Sequence, residues 1–222
     1  MNAKRTLPLL AQHLDEVHAC TRCPDMIGPV VTGHPVASPV LLVGQAPGPR
    51  EGEFGRPFAW TAGKQLFKWT ASIGLDEPAM RARVYIAAVC RCFPGKTRQG
   101  GDRVPSPDEV AACSEWLDRE LAVVGPRLVI PVGRLAIENF LGKAPLADII
   151  GRRHRGSRAG RVFDLIPLPH PSGASTWWKM EPGASLLGEA LKLLGSHPSW
   201  REVVLAAPPS YPAPPPPAPR AR

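Results

Sequence analysis

The sequence predicts an α/β protein, a three-layer α/β/α sandwich around a central, mostly parallel four-stranded sheet. Three observations predict it. Apolar runs at 40–43, 84–89, 128–132 and 162–168 lack the alternation of a half-exposed strand, as expected of strands covered on both faces. Segments with apolar residues at helical spacing separate these runs, so strands and helices alternate along the chain. The first run, Val40-Leu41-Leu42-Val43, empties into a loop rich in glycine and proline. A parallel sheet binds its ligands at that end of its strands.

Taken in order, residues 7–17 read as a helix with Leu9, Leu10, His13, Leu14 and Val17 on one face, running into Cys20-Thr21-Arg22-Cys23. Turn formers fill 24–39 and deliver the chain to the first strand. After it, Gly44 and Gly48 allow a ligand close to the main chain and Pro47 stiffens the turn. A helix over 63–73 follows, on Leu66, Phe67, Trp69 and Ile73. The second strand, 84–89, ends at Cys90, Arg91 and Cys92. Residues 94–107 form a basic loop of glycine and proline, closed by Ser106 and Glu109 as a capping box for a helix carrying Val110, Cys113, Trp116, Leu117 and Leu121. The third strand precedes a short helix at 134–141, and 151–160 read as a second basic loop. The last strand ends at Pro169-His170-Pro171-Ser172-Gly173-Ala174-Ser175, and a helix over 184–194 closes the domain. Residues 1–206 are expected to be one domain, and 207–222 a disordered, proline-rich basic tail.

A chain of 222 residues with a formal charge of +8 suits one sizeable core and a polyanionic partner, nucleic acid before others. No apolar run approaches a membrane span, and the first residues lack a signal-peptide core, so no membrane association and a cytoplasmic location are expected. In a reducing compartment five cysteines point to metal ligands or buried thiols. Cys20-x2-Cys23 alone reads equally as half a zinc site.

The loop after the first strand, Gly44-Gln45-Ala46-Pro47-Gly48, Glu51, Gly55, Pro57-Phe58-Ala59-Trp60-Thr61-Ala62-Gly63, resembles motif A of the family 4 uracil-DNA glycosylases, with Gln45 in place of a glutamate and Trp60 in place of a glycine. His170-Pro171-Ser172 resembles motif B of the same superfamily. A second His-Pro-Ser, 197–199, follows a helix and lacks a preceding strand. Tyr85-Ile86-Ala87-Ala88-Val89-Cys90-Arg91-Cys92-Phe93-Pro94 and Ala111-Ala112-Cys113 match the family's later cysteine segments.

The resemblance implies DNA as partner, a nucleoid-associated monomer, and a [4Fe-4S] cluster on Cys20, Cys23, Cys92 and Cys113, with Cys90 a buried thiol or a replacement for Cys92. It implies excision of uracil, and possible acceptance of other deaminated bases, by hydrolysis of the N-glycosidic bond. His170 would stabilise charge on the leaving base, Phe58 would stack on it, and Gly44, Gln45, Ala46 and Ser172 would line the base pocket. Glu51, the remaining motif A carboxylate, would be the catalytic one, activating water or stabilising the sugar cation, whereas Ala88 stands where the family has a base-reading asparagine, leaving Gln45 as the amide nearest the base. Lys96, Arg98, Arg103, Arg153 and Ser175 are expected on phosphates, and Trp177 or Trp178 in the wedge position that Ala174 does not fill. Two alternatives are a glycosylase mainly for hypoxanthine or xanthine, and a catalytically silent iron–sulfur protein that binds damaged DNA.

Overall fold

A computed structural model describes residues 3–207, and its sheet has five strands: β1 (Val40–Gly44), β2 (Tyr85–Ala88), β3 (Leu128–Pro131), β4 (His154–Arg158) and β5 (Arg161–Leu165). Their order is β2-β1-β3-β5-β4, parallel except for the antiparallel pair β4–β5. The expected tail falls, apart from Ala207, outside the described residues.

The fifth strand corrects the four-stranded expectation. Residues 154–158 were expected within a basic loop, because HRGSR carries no apolar residue. They nevertheless alternate, His154, Gly156 and Arg158 being half-buried and Arg155 and Ser157 exposed. Ala159 and Gly160, at φ 51° and 69°, turn the chain tightly into β5, as a two-residue hairpin loop requires. The inward positions use polar contacts in place of apolar ones: Arg158 bonds Asp118 and Asn139, and its guanidinium lies over the Phe140 ring.

Helices α1 (Ala3–His18), α2 (Glu51–Phe54), α3 (Thr61–Ala71), α4 (Glu77–Arg83), α5 (Pro107–Val124), α6 (Arg134–Leu141), α7 (Leu146–Ile149), α8 (Gly183–Ser196) and α9 (Pro198–Leu205) complete the described chain. Side-chain alternation along β1 divides the core into two layers. Val40 and Leu42 pack with Leu66, Phe67 and Trp69 of α3, Met80 of α4, Leu187 and Leu194 of α8 and Trp200 of α9. Leu41 and Val43 pack on the other face with Leu10 and Val17 of α1 and Trp116, Leu117 and Leu121 of α5. Both faces are therefore covered, and each such side chain contributes about 1.5–3 kcal/mol by leaving water. Trp177 and Trp178, offered above as wedges, instead lean on this core, Trp178 edge-on to Trp69.

Candidate active site at the carboxyl ends of the strands

The end of β1 is shaped around Phe58. Its ring lies so close over Gly44 that a Cβ there would sit 2.7 Å from Cζ, and a Cβ on Gly63 would meet its carbonyl oxygen at 1.8 Å. Only glycine at both positions leaves room. Phe58 has φ 55°, a left-handed conformation unfavourable by about 1–2 kcal/mol for a residue with a side chain. Two groups hold it there. Buried Arg81 of α4 donates to the carbonyls of Pro57 and Phe58, each at 3.0 Å, and is itself fixed by Glu77 at 2.9 Å. From the cleft side Glu51 accepts the Gly48 amide at 2.6 Å on Oε2 and the Ala59 amide at 3.0 Å on Oε1. Burial raises the Glu51 carboxyl above the ordinary value, against the opposing pull of these amides. The carboxylate thus ties both limbs of the loop together.

His170 follows β5 and lies against Gly133, where a Cβ would be 2.8 Å from its Cδ2. The Ser172 amide donates to Nδ1 at 3.3 Å, so the neutral ring carries its proton on Nε2. Burial lowers the His170 pKa, and the charge of Asp102 partly opposes that shift. The ring is thereby a neutral hydrogen-bond donor. His197 shows the same local geometry, accepting the Ser199 amide on Nδ1 at 3.1 Å, but it caps α9 and pairs with Asp164.

Between Phe58 and His170 opens a cleft of about 550 Å³. Gly44, Gln45, Ala46, Glu51, Phe58, Ala88, Arg103, His170, Ser172 and Ser175 all line it. Ala88 sits there because it is the register partner of Gly44. Lys96, Arg98 and Arg153 are not among the lining residues. Arg103 is committed elsewhere: its guanidinium grips Glu109 through two bonds of 2.7 and 2.8 Å, and its Nε donates to the Pro94 carbonyl at 2.7 Å. Three charged residues not singled out for the cleft also line it, Arg50, Arg134 and Asp102. Arg50 lies 4.1 Å over the Trp60 ring, which is stacked on Phe54 at the cleft mouth. Only their nearness in space marks these side chains, and spacing along the chain does not carry it.

A second cluster lies on the α5 side of the sheet. Cys23 is pushed up to about 11, by burial first and then by the negative charges of Cys113, Cys20 and Cys92. Cys92 is raised by burial and by Cys113 and Cys20. The four thiols are thus near enough for their charges to act on one another, although among the described residues no group of three donors is set to hold a single metal ion. The fully buried Cys90 lies against Cys113, with which it shares a hydrogen bond, and its thiol also reaches the Glu109 carbonyl at 3.7 Å. Beneath them, buried Glu120 accepts the Tyr85 hydroxyl at 2.9 Å and pairs with Arg91.

Comparison with known proteins adds kinship to this geometry. Type-4 uracil-DNA glycosylases are similar over much of the chain: that of Sulfurisphaera tokodaii at 30% identity over 64% of this chain and 63% of its own, and that of Archaeoglobus fulgidus at 33% over 60% and 65%. The chain thus spans just under two thirds of the length of these two. The Thermotoga maritima protein of the same name is 30% identical over 71% of this chain and 79% of its own. A family model described as the Uracil DNA glycosylase superfamily matches residues 31–195, which run from the strand-entry loop through His170 to the end of α8. The chain belongs to the uracil DNA glycosylase superfamily.

Proposed function

We propose that the protein is a monofunctional DNA glycosylase that hydrolyses the N-glycosidic bond of uracil in DNA and so initiates base excision repair. The observation that carries this reading is the His170 tautomer, a neutral Nε2–H donor in a cleft faced by Phe58. As the C1′–N1 bond breaks, its electron pair passes to the base and negative charge gathers on O2. A preorganised donor stabilises that charge more than it stabilises the intact base, which is what lowers the barrier. Phe58, held in place by Arg81 and Glu51, offers a flat face to an extruded base, and such stacking contributes roughly 1–3 kcal/mol. Alkaline cleavage of an oligonucleotide holding one uracil tests the reading. Strand scission after incubation with the protein is expected, and an intact strand at stoichiometric enzyme speaks against it.

A broader base choice rests on Ala88, which leaves the base-reading position at the end of β2 without a side-chain amide. A pocket that lacks a reading group leaves fewer polar atoms unpaired by a wrong base, so deaminated purines are accepted beside uracil. Single-turnover release of hypoxanthine and xanthine measures this. Gln45 is the amide placed to contact the base.

We assign Cys20, Cys23, Cys92 and Cys113 a [4Fe-4S] cluster, a reading supported by thiols near enough for the charges of Cys113, Cys20 and Cys92 to act on Cys23. When bound it supplies a structural clip, joining the segment after α1, the loop after β2 and α5. Arg98 and Arg153, both exposed, and Ser175 are assigned to phosphates of a DNA strand held by the monomer in the nucleoid, whereas Lys96, expected there from sequence, is paired with Asp102 at 2.6 Å.

A further inference from the structure

Hydrolysis of a glycosidic bond also needs negative charge near the sugar, where a cation develops as the base departs. Motif A carries the uncharged Gln45 where its relatives have a glutamate, and the two oxygens of Glu51 are each taken by a backbone amide. Among the residues lining the cleft, one further acid remains, Asp102. It stands on a small hairpin of the 94–107 loop, fixed by the Lys96–Asp102 backbone bridge, by Thr97 N–H on the Gly101 carbonyl at 2.7 Å and by Arg103 N–H on the Gly95 carbonyl at 2.9 Å. Its Oδ1 accepts from Lys96 Nζ at 2.6 Å. Its Oδ2 is turned toward the motif A turn, where a Cβ on Gly48 would lie 4.0 Å away.

From this placement we infer that Asp102 is the catalytic carboxylate of this chain, reaching across the cleft from the loop after β2 to do what the motif A glutamate does not do here. The inference rests on the glycosylase reading above. As the C1′–N1 bond breaks toward the base, the carboxylate faces the cationic C1′. A water oxygen bonds C1′, one water proton passes to the free Asp102 oxygen and on to solvent, and the departing base takes its proton from solvent. Lys96 Nζ binds Oδ1 at 2.6 Å and so orients the carboxylate. The other titratable or charged groups of the cleft are Glu51, the neutral His170, Arg50, Arg134 and Arg103, the last occupied by Glu109.

Asp102→Asn is expected to lower the single-turnover rate of uracil release by about 10²-fold, within the range for losing one acid–base group. It should leave binding to DNA with a non-cleavable uracil analogue within about threefold. Asp102→Glu should recover part of the rate. Lys96→Met removes the ion pair and keeps the carboxylate, so it is expected to fall far less than Asp102→Asn. Equal losses in the Lys96 and Asp102 variants would mean that the pair only braces the hairpin, and the inference would be wrong. Full activity of Asp102→Asn beside a strongly impaired His170→Ala would also overturn it, while the glycosylase reading stands. A wild-type protein that releases no base overturns both.

Discussion

His170 and His197 show how one tripeptide acquires two uses. Each accepts the amide two residues on with its Nδ1, so each keeps a proton on Nε2, and only the surroundings differ. His170 meets the cleft and His197 meets Asp164. His170→Ala is therefore expected to slow single-turnover base release by about 10²–10³-fold, the range for removing one aimed donor. His197→Ala should leave the rate unchanged and lower the denaturation midpoint, since it removes the α9 cap. The pH dependence follows from the sign of the shift. The folded His170 pKa lies below 6.5, so the unfolded chain takes up the proton first, and stability is lost as pH falls from 6.5 through the folded value. The histidine limb of the rate should likewise lie below pH 6.5. At this scale the strand-final His-Pro-Ser and the Pro-Phe after the glycine loop were legible in sequence. The tethering of Glu51 to two amides was not, because it depends on a turn bringing Gly48 and Ala59 to the same carboxylate.

Among the elements, α4 has a larger part than its seven residues suggest. Asp76 caps it and Pro78 opens it, and its one buried cation, Arg81, reaches back to the loop on which Phe58 sits. Arg81→Met should destabilise the fold by roughly 2–4 kcal/mol, because two buried carbonyls lose a charged donor. A denaturant series measures this. Base release should fall with it even where the protein remains folded, since Arg81 donates to the carbonyls that flank Phe58 at its positive φ. The strands of the parallel core were readable because burial on both faces demands continuous apolar runs. Short helices such as α2 and α4 were not, because their caps and contacts lie outside any repeating pattern. The strand β4 escaped for the opposite reason: its period is present, but charged residues occupy the positions where apolar ones would announce it.

For the whole molecule, the sulfur cluster and the cleft share one loop. Cys92 starts it, Asp102 hangs from it over the cleft, and Arg103 with Glu109 ties its far end to α5. Purified protein is expected to be brown and to contain iron and acid-labile sulfide, and zinc in place of iron would contradict the assigned cluster. Cys92→Ser should lose iron and stability together, whereas Cys90→Ser should retain iron. The reverse would exchange the two assignments.

The hairpin that completes the sheet also leaves β4 as its outer strand, with no strand beyond it among the described residues. Such a margin is a template on which a strand from another molecule can grow. Arg155, its second residue, is exposed, and Arg153 lies just ahead of it, so a second copy approaching in register brings like charge against like. Their positive charge thus also serves colloidal behaviour, keeping the concentrated protein dispersed. Arg155→Val should leave the fold and base release intact and make light scattering rise with protein concentration and time.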